Sequence, residues 1–308
     1  MLTRSYLPDD RSVLLINRKF LLLGLFFKTI MHSTDRILWG QQGINISLNG
    51  EEYRSNYYKV GKGRPILFFH GWLHSGRIWQ SMLPMVAGGY RLIAPDLPGF
   101  GESDAITANE NLFNQYCDLN LQILNNFTDR ANPPVIVADS LSAVVMLMLF
   151  SENELPCRHL VLLGCPSDGL PGVIKFLRKA TPFSLLLRAA QRQPEAILRT
   201  SLRYGNFLTM KNRNGNLNPL IHAIKSADIE SSITLLDTIL GPMSEFPPPT
   251  VPVTVLRGEF DRIVSRESSQ KLAERLNAEY LEIQRSGHTP MIEQPETLIR
   301  NLQRILEK

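Results

Sequence analysis

The feature that most constrains this chain is a set of short apolar runs without internal polar alternation. Pro65-Ile66-Leu67-Phe68-Phe69, Tyr90 to Pro95, Pro134 to Asp139, His159 to Leu163 and Val251 to Leu256 all have this form, with Tyr280 to Ile283 as a last, shorter run. A strand with one wet face alternates apolar and polar residues, whereas a strand covered on both faces does not. Between several of the runs lie stretches with helical spacing, such as Ile78, Met82, Met85 and Val86, or Leu298, Leu302, Ile305 and Leu306. Strands alternating with helices predict a mostly parallel sheet flanked by helices on both faces. Ile44 to Leu48 and Tyr53 to Val60 flank Asn49-Gly50, a pair that accepts the positive φ of a tight turn, and predict an opening hairpin. Pro84 should shorten or kink the helix that contains it. Leu141 to Phe150 is apolar nearly all round, which predicts a helix buried against the sheet.

The alternation defines the expected organisation. At 308 residues the chain suits one large α/β domain with an insertion. Residues 41–165 and 250–308 form the α/β core, and residues 166–249, where helical stretches occur without a convincing strand, form a helical cap. Residues 1–40 form an apolar and basic helical extension. Its run from Phe20 to Phe27 is too short to span a bilayer, which takes roughly 20 apolar residues. A helix packed on the body, an interfacial helix at a membrane surface and a processed or spanning segment are the open readings.

Three cysteines, Cys117, Cys157 and Cys165, form no Cys-x-x-Cys pair, so a disulfide framework is not expected and a reduced, cytoplasmic setting is. The formal charge is +4, and the cap segment concentrates cations: Lys175, Arg178, Lys179, Arg188, Arg192, Arg199, Arg203, Lys211, Arg213 and Lys225. Such a bias attracts an acidic acyl carrier or an anionic membrane surface, although a solvated cationic face has the same composition. Nucleic acid is not implied. His32, His70, His74, His159, His222 and His288 make no H-E-x-x-H pair, and there is neither a G-x-G-x-x-G nor a P-loop, so no metal or cofactor is expected.

The segment that carries chemistry runs from Val135 through Ala138-Asp139-Ser140-Leu141-Ser142 to Ala143, a buried strand leading straight into a buried helix. A nucleophile on so sharp a turn needs small residues two positions before and after it. Ala138 and Ser142 meet that demand for Ser140. Asp139 would be flanked by Val137 and Leu141, both bulky, and is rejected as nucleophile. Standing alone, Ser140 would read as an ordinary N-cap.

It is accompanied by further motifs in a fixed order. His70-Gly71-Trp72-Leu73-His74-Ser75 follows the first buried run, and Asp96-Leu97-Pro98-Gly99-Phe100-Gly101-Glu102-Ser103 follows the next. Gly258-Glu259-Phe260-Asp261 and Gly287-His288-Thr289-Pro290 come late in the chain. From about Ile44 to the C-terminus this pattern resembles the α/β-hydrolase superfamily. It departs from the family's Gly-x-Ser-x-Gly elbow, with Ala138 and Ser142 in the glycine positions. The resemblance implies an α/β-hydrolase fold with the cap inserted before the acid-bearing strand. It further implies backbone N–H groups of Trp72 and Leu141 as an oxyanion hole, and His70 as a structural residue of that loop.

In acyl transfer a serine needs a base, and a neutral imidazole titrates in the right range. His288 is the expected base, and Asp261 the acid that fixes its tautomer, with Asp168 as competitor. Trp72 and His74 are expected pocket contacts. The expected activity is hydrolysis of a small-molecule carboxylic ester or thioester with an apolar acyl group, through an acyl-enzyme. Amide, lactone or carbon–carbon bond hydrolysis, cofactor-free haloperoxidase chemistry and a non-catalytic ligand-binding role remain alternatives.

Overall fold

The computed structural model describes residues 39–107, 111–180, 182–204, 216–239, 241–243 and 247–307. All but the end of the expected N-terminal extension lies outside these residues, as do Lys211 and Arg213 of the expected cationic cap.

Eight strands form one sheet in the order β1-β2-β4-β3-β5-β6-β7-β8. They are β1 (Gly40–Leu48), β2 (Glu51–Val60), β3 (Arg64–Phe69), β4 (Tyr90–Pro95), β5 (Val135–Asp139), β6 (His159–Leu163), β7 (Val253–Gly258) and β8 (Glu279–Ile283). β1 and β2 pair antiparallel about Asn49 and Gly50, whose φ values are 53° and 85°, so the Asn-Gly turn forms as its sequence dictates. β2 joins β4 antiparallel, and every later pairing is parallel. The fold is that of an α/β hydrolase, as expected.

Residues of β5 and β6 are buried throughout, consistent with their unbroken apolar runs. The helices are α1 (Leu112–Phe127), α2 (Leu141–Glu152), α3 (Gly172–Ala180), α4 (Phe183–Arg192), α5 (Glu195–Tyr204), α6 (Asn218–Ser226), α7 (Ile229–Thr238), α8 (Arg266–Arg275), α9 (Pro290–Glu293) and α10 (Pro295–Leu306). α2 buries Leu141, Val145, Met146, Leu147 and Leu149 on all sides. Each such side chain contributes about 1.5–3 kcal/mol relative to exposure, which fixes α2, and the turn before it, against the sheet.

Two features differ from the sequence reading. The segment Gly76–Gly88 is a run of 3-10 turns rather than an α-helix. Pro84 lies inside it and cannot donate the amide bond that a regular helix would need. Helix α1 went unread because its segment mixes polar residues with the apolar face of Leu112, Tyr116, Leu119, Ile123 and Leu124. Among the described residues, α3 to α7 fill the interval between β6 and β7, with no strand among them. None of the helices among the described residues is long and apolar enough to cross a membrane.

Because β3 and β5 to β8 run parallel, the loops after their C-terminal ends gather along one edge of the sheet. Those are the loops that hold His70 to Ser75, Ser140, Asp261 and His288.

Candidate active site

Ser140 sits between β5 and α2 with φ 52° and ψ −112°, a conformation that L residues rarely adopt. Such backbone strain persists only where the surroundings over-determine it. Here the Ser140 N–H donates to the Leu163 carbonyl of β6 at 2.8 Å, while α2 is anchored by its apolar burial. Ala138 is fully buried in the sheet, so the small residue demanded before the turn is in place. Ser142 does more than fit: its hydroxyl donates to the His70 carbonyl, tying α2 to the loop after β3.

Ser140 Oγ lies 3.1 Å from His288 Nε2, and His288 Nδ1 lies 2.8 Å from Asp261 Oδ2. The structure therefore brings together Ser140, His288 and Asp261, residues separated by up to 148 positions. Asp168 is exposed on the turn after β6, and it is Asp261 that pairs with His288 Nδ1. Asp261 Oδ1 accepts the N–H groups of Ile263 at 2.8 Å and Val264 at 3.0 Å. Burial opposes the Asp261 charge, but His288 and these N–H donors prevail and hold the carboxyl below its usual range. Buried Arg257 donates to the Asp261 carbonyl at 2.8 Å and pairs with Glu282 at 2.9 Å, so the acid turn is fastened to β8.

For His288, burial works against the imidazolium. The Asp261 carboxylate, seconded by Asp139 and Glu293, more than offsets this and raises the imidazole to about 9. The ring fits only because position 164 lacks a side chain. Gly164 has φ +56°, and a Cβ there would meet His288 Cε1 at 3.0 Å and Nδ1 at 3.1 Å.

The loop after β3 is held from several directions. His70 is buried; its Nε2 accepts the Leu97 N–H at 3.0 Å and its Nδ1 donates to the Gly71 carbonyl at 2.8 Å. Burial drives its pKa down to about 3, so this ring is a neutral strut between the loops after β3 and β4. Asp96, also buried, accepts the Gly76 N–H at 2.6 Å and the Glu102 N–H at 2.9 Å. Leu73 has φ 53°, a further strained point in the same loop. Trp72 Nε1–H donates to the Ser232 carbonyl of α7 at 2.7 Å, and its ring stacks on Phe183 of α4 at 6.4 Å between centroids. The Trp72 and Leu141 backbone N–H groups have no hydrogen-bond acceptor among the described residues. They are available as donors.

His74 is buried and its Nδ1 lies 3.3 Å from Asp139 Oδ2, so the imidazole expected to contact substrate faces the carboxylate beside Ser140. The sequence reading missed Asp139 as a partner, having weighed it only as a rival nucleophile. It also missed Ser142, Asp96 and Ser232 as fasteners. The Asp96 turn was legible as a turn, but nothing local revealed which N–H groups its carboxylate would hold.

Four of the cations between β6 and β7 whose side chains are described have local partners. Arg178 pairs with Asp237 at 2.7 Å, Arg188 with Glu230 at 2.5 Å and Arg199 with Asn218 at 2.6 Å. Lys225 donates to the Gln191 and Gln193 carbonyls at 3.3 and 3.1 Å.

Comparison with known proteins agrees with this architecture. A soluble epoxide hydrolase of Corynebacterium sp. (strain C12) is 29% identical over 128 residues, 42% of either chain. A pimeloyl-[acyl-carrier protein] methyl ester esterase of Legionella pneumophila (strain Lens) is 41% identical over 63 residues, 20% of this chain and 26% of the esterase. The chain thus matches less than half the length of either relative. In fold it is similar to a thermophilic esterase from Thermogutta terrifontis, with a TM-score of 0.67 and 22% identity, covering 86% of this chain and 98% of that one. The profile of the alpha/beta hydrolase family matches residues 66–301, most of the chain. With the sheet order, the strand-to-helix turn at Ser140 and that match in agreement, the chain belongs to the alpha/beta hydrolase family.

Proposed function

We propose that this protein is a serine hydrolase that cleaves a carboxylic ester with an apolar acyl group through an acyl-enzyme. The observation that carries the reading is the 3.1 Å approach of Ser140 Oγ to His288 Nε2. A hydroxyl within hydrogen-bond reach of an imidazole can lose its proton as it attacks.

In the proposed reaction Ser140 Oγ attacks the ester carbonyl while its proton passes to His288 Nε2. Asp261 keeps Nδ1 protonated and stabilises the imidazolium that forms. The Trp72 and Leu141 N–H groups receive the charge that develops on the carbonyl oxygen, a contribution typically of about 3–4 kcal/mol per donor. Collapse expels the alkoxide, which takes the proton from His288 and leaves as the alcohol. Water then attacks the acyl-enzyme with His288 again as base, releasing the acid and restoring Ser140. The stacked Trp72 and Phe183 rings supply an apolar wall beside the donors, which favours an apolar acyl group. We treat α3 to α7 as the lid over that group.

Kinship to pimeloyl-[acyl-carrier protein] methyl ester esterases favours a carrier-borne acyl ester as the substrate form. Docking of an acidic carrier would draw on the cations between β6 and β7, and charge reversal at Lys175 and Arg192, which form no ion pair among the described residues, should weaken it. The defining test is hydrolysis of p-nitrophenyl esters of graded chain length alongside matched thioesters and amides. Ester turnover that falls about 10³-fold or more in Ser140→Ala supports the reading. Unchanged turnover in that variant, or cleavage of amides alone, overturns it.

A further inference from the structure

The Trp72 N–H sits in a strained turn. The His74 N–H donates to the Gly71 carbonyl at 3.2 Å and closes a four-residue turn, Gly71 to His74, with Trp72 second and Leu73 third. Where the third residue of such a turn has positive φ it is usually glycine, yet here Leu73 takes that conformation, at φ 53°. A turn of this kind keeps its shape only where its neighbours enforce it.

The neighbour in place to do so is the carboxylate of Asp139, the last residue of β5 and the one before Ser140. Asp139 is fully buried, and neither of its oxygens makes a hydrogen bond of normal geometry among the described residues. Its Oδ2 nevertheless meets the turn at both ends. A Cβ on Gly71 would lie 2.8 Å from Oδ2 and 3.1 Å from Ser140 Cβ, so the first residue rests on this oxygen and on the nucleophile through a bare α-carbon. The fourth residue approaches the same atom: His74 Nδ1, buried and otherwise unpartnered among the described residues, lies 3.3 Å from Oδ2. A buried carboxylate is costly unless a donor or counter-charge faces it, and His74 supplies one. His70 and Ser142 hold the loop where it begins, and Asp96 holds Gly76 beyond the turn. Asp139 is what spans the turn itself.

We propose that Asp139 is a positioning residue for the oxyanion hole: through Gly71 and His74 it fixes the turn that carries the Trp72 N–H relative to the Leu141 N–H. Asp139 lies two residues before Leu141 at the junction of β5 and α2, so one carboxylate references one donor to the other. The Trp72 indole is committed to the Ser232 carbonyl of α7, which leaves the backbone of the turn to be held by its other members. The consequence for catalysis rests on the serine-hydrolase reading; the hold on the turn does not.

The test compares an oxygen ester with the matching thionoester, whose longer, weakly accepting C=S gains little from well-placed donors. Asp139→Asn keeps the shape and removes the charge. On the oxygen ester kcat should fall about tenfold with KM within about twofold, while the thionoester loses less than about threefold, so the ratio between the two contracts. Equal losses on both substrates would make Asp139 merely structural and overturn the proposal. His74→Leu should match Asp139→Asn, and His74→Asn, whose amide can stand where Nδ1 does, should stay within about threefold of wild type. The Asp139→Asn, His74→Leu double variant should be no worse than either alone; full additivity would overturn the pairing. Apart from turnover, relaxation dispersion of backbone amides in the full chain should reveal exchange at Trp72 and none at Leu141 in Asp139→Asn. Should that variant not fold, His74→Leu carries the same readings. If the wild type cleaves no ester yet the Trp72 amide loosens as expected, the hydrolase reading fails while this one stands; a Trp72 amide as quiet as in wild type overturns this one.

Discussion

Replacing Gly164 with alanine tests whether the site geometry depends on the end of β6. At φ +56° an L residue pays roughly 1–2 kcal/mol. The new Cβ would stand 3.0 Å from His288 Cε1 and 3.1 Å from Nδ1, whereas relaxed carbon contacts lie at about 3.5–4.0 Å. The ring must therefore retreat by about 0.5 Å. Nδ1 is tethered to Asp261 at 2.8 Å, so the retreat is taken up at Nε2, which now lies 3.1 Å from Ser140 Oγ. A misplacement of about 1 Å can cost 10²-fold, so half of that predicts about a tenfold loss in kcat/KM. The backbone strain should lower Tm by about 2–8 °C. Gly172→Ala is the control, because a Cβ there meets nothing within 4 Å. Steady-state hydrolysis of a short ester and thermal melting by circular dichroism provide the two readouts. Wild-type kcat/KM in Gly164→Ala would refute the claim that His288 is confined against β6.

Three further outcomes follow from the same geometry. Ser142→Ala removes the bond to the buried His70 carbonyl and leaves that acceptor unmet, which should cost about 1–3 kcal/mol and lower both Tm and kcat; unchanged melting would show that the hydroxyl is incidental. Trp72→Phe keeps a ring to stack on Phe183 but loses the donor to Ser232, so kcat should fall about fivefold with little change in KM, in line with about 1 kcal/mol for one hydrogen bond. Because the Asp261 carboxylate raises His288 to about 9 against the opposing effect of burial, the base form is scarce at neutral pH; kcat/KM should rise with pH to an inflection near 9, and a profile that is flat above pH 7 would contradict that charge balance.

The parts of the molecule legible in sequence were those with a strong local cause. Unbroken apolar runs fixed β3 to β6 to within a residue, and Asn49-Gly50 fixed the hairpin turn. The small residues Ala138 and Ser142 singled out Ser140 on steric grounds, and in the structure its Oγ lies 3.1 Å from His288 Nε2. What stayed hidden depends on partners distant in the chain. Trp72 meets Ser232 across 160 positions, and Ser142 meets His70 across 72. Asp139 was weighed only as a rival nucleophile, because its approach to His74 is a fact of packing. The cationic bias between β6 and β7 was a fact of composition, whereas pairing such as Arg178 with Asp237 is a fact of packing. Helix α1 was missed because its segment is rich in polar residues, and one of them, Asn120, sits on the buried face beside Tyr116 and Ile123.

The central claim is that Ser140 forms the covalent intermediate. It is tested most directly by reacting the protein with a fluorophosphonate, digesting it and locating the phosphonylated peptide by mass spectrometry. The account predicts one adduct, on Ser140, formed faster as pH rises toward 9 and absent in Ser140→Ala. An adduct on any other residue, or labelling that persists in Ser140→Ala, would contradict it.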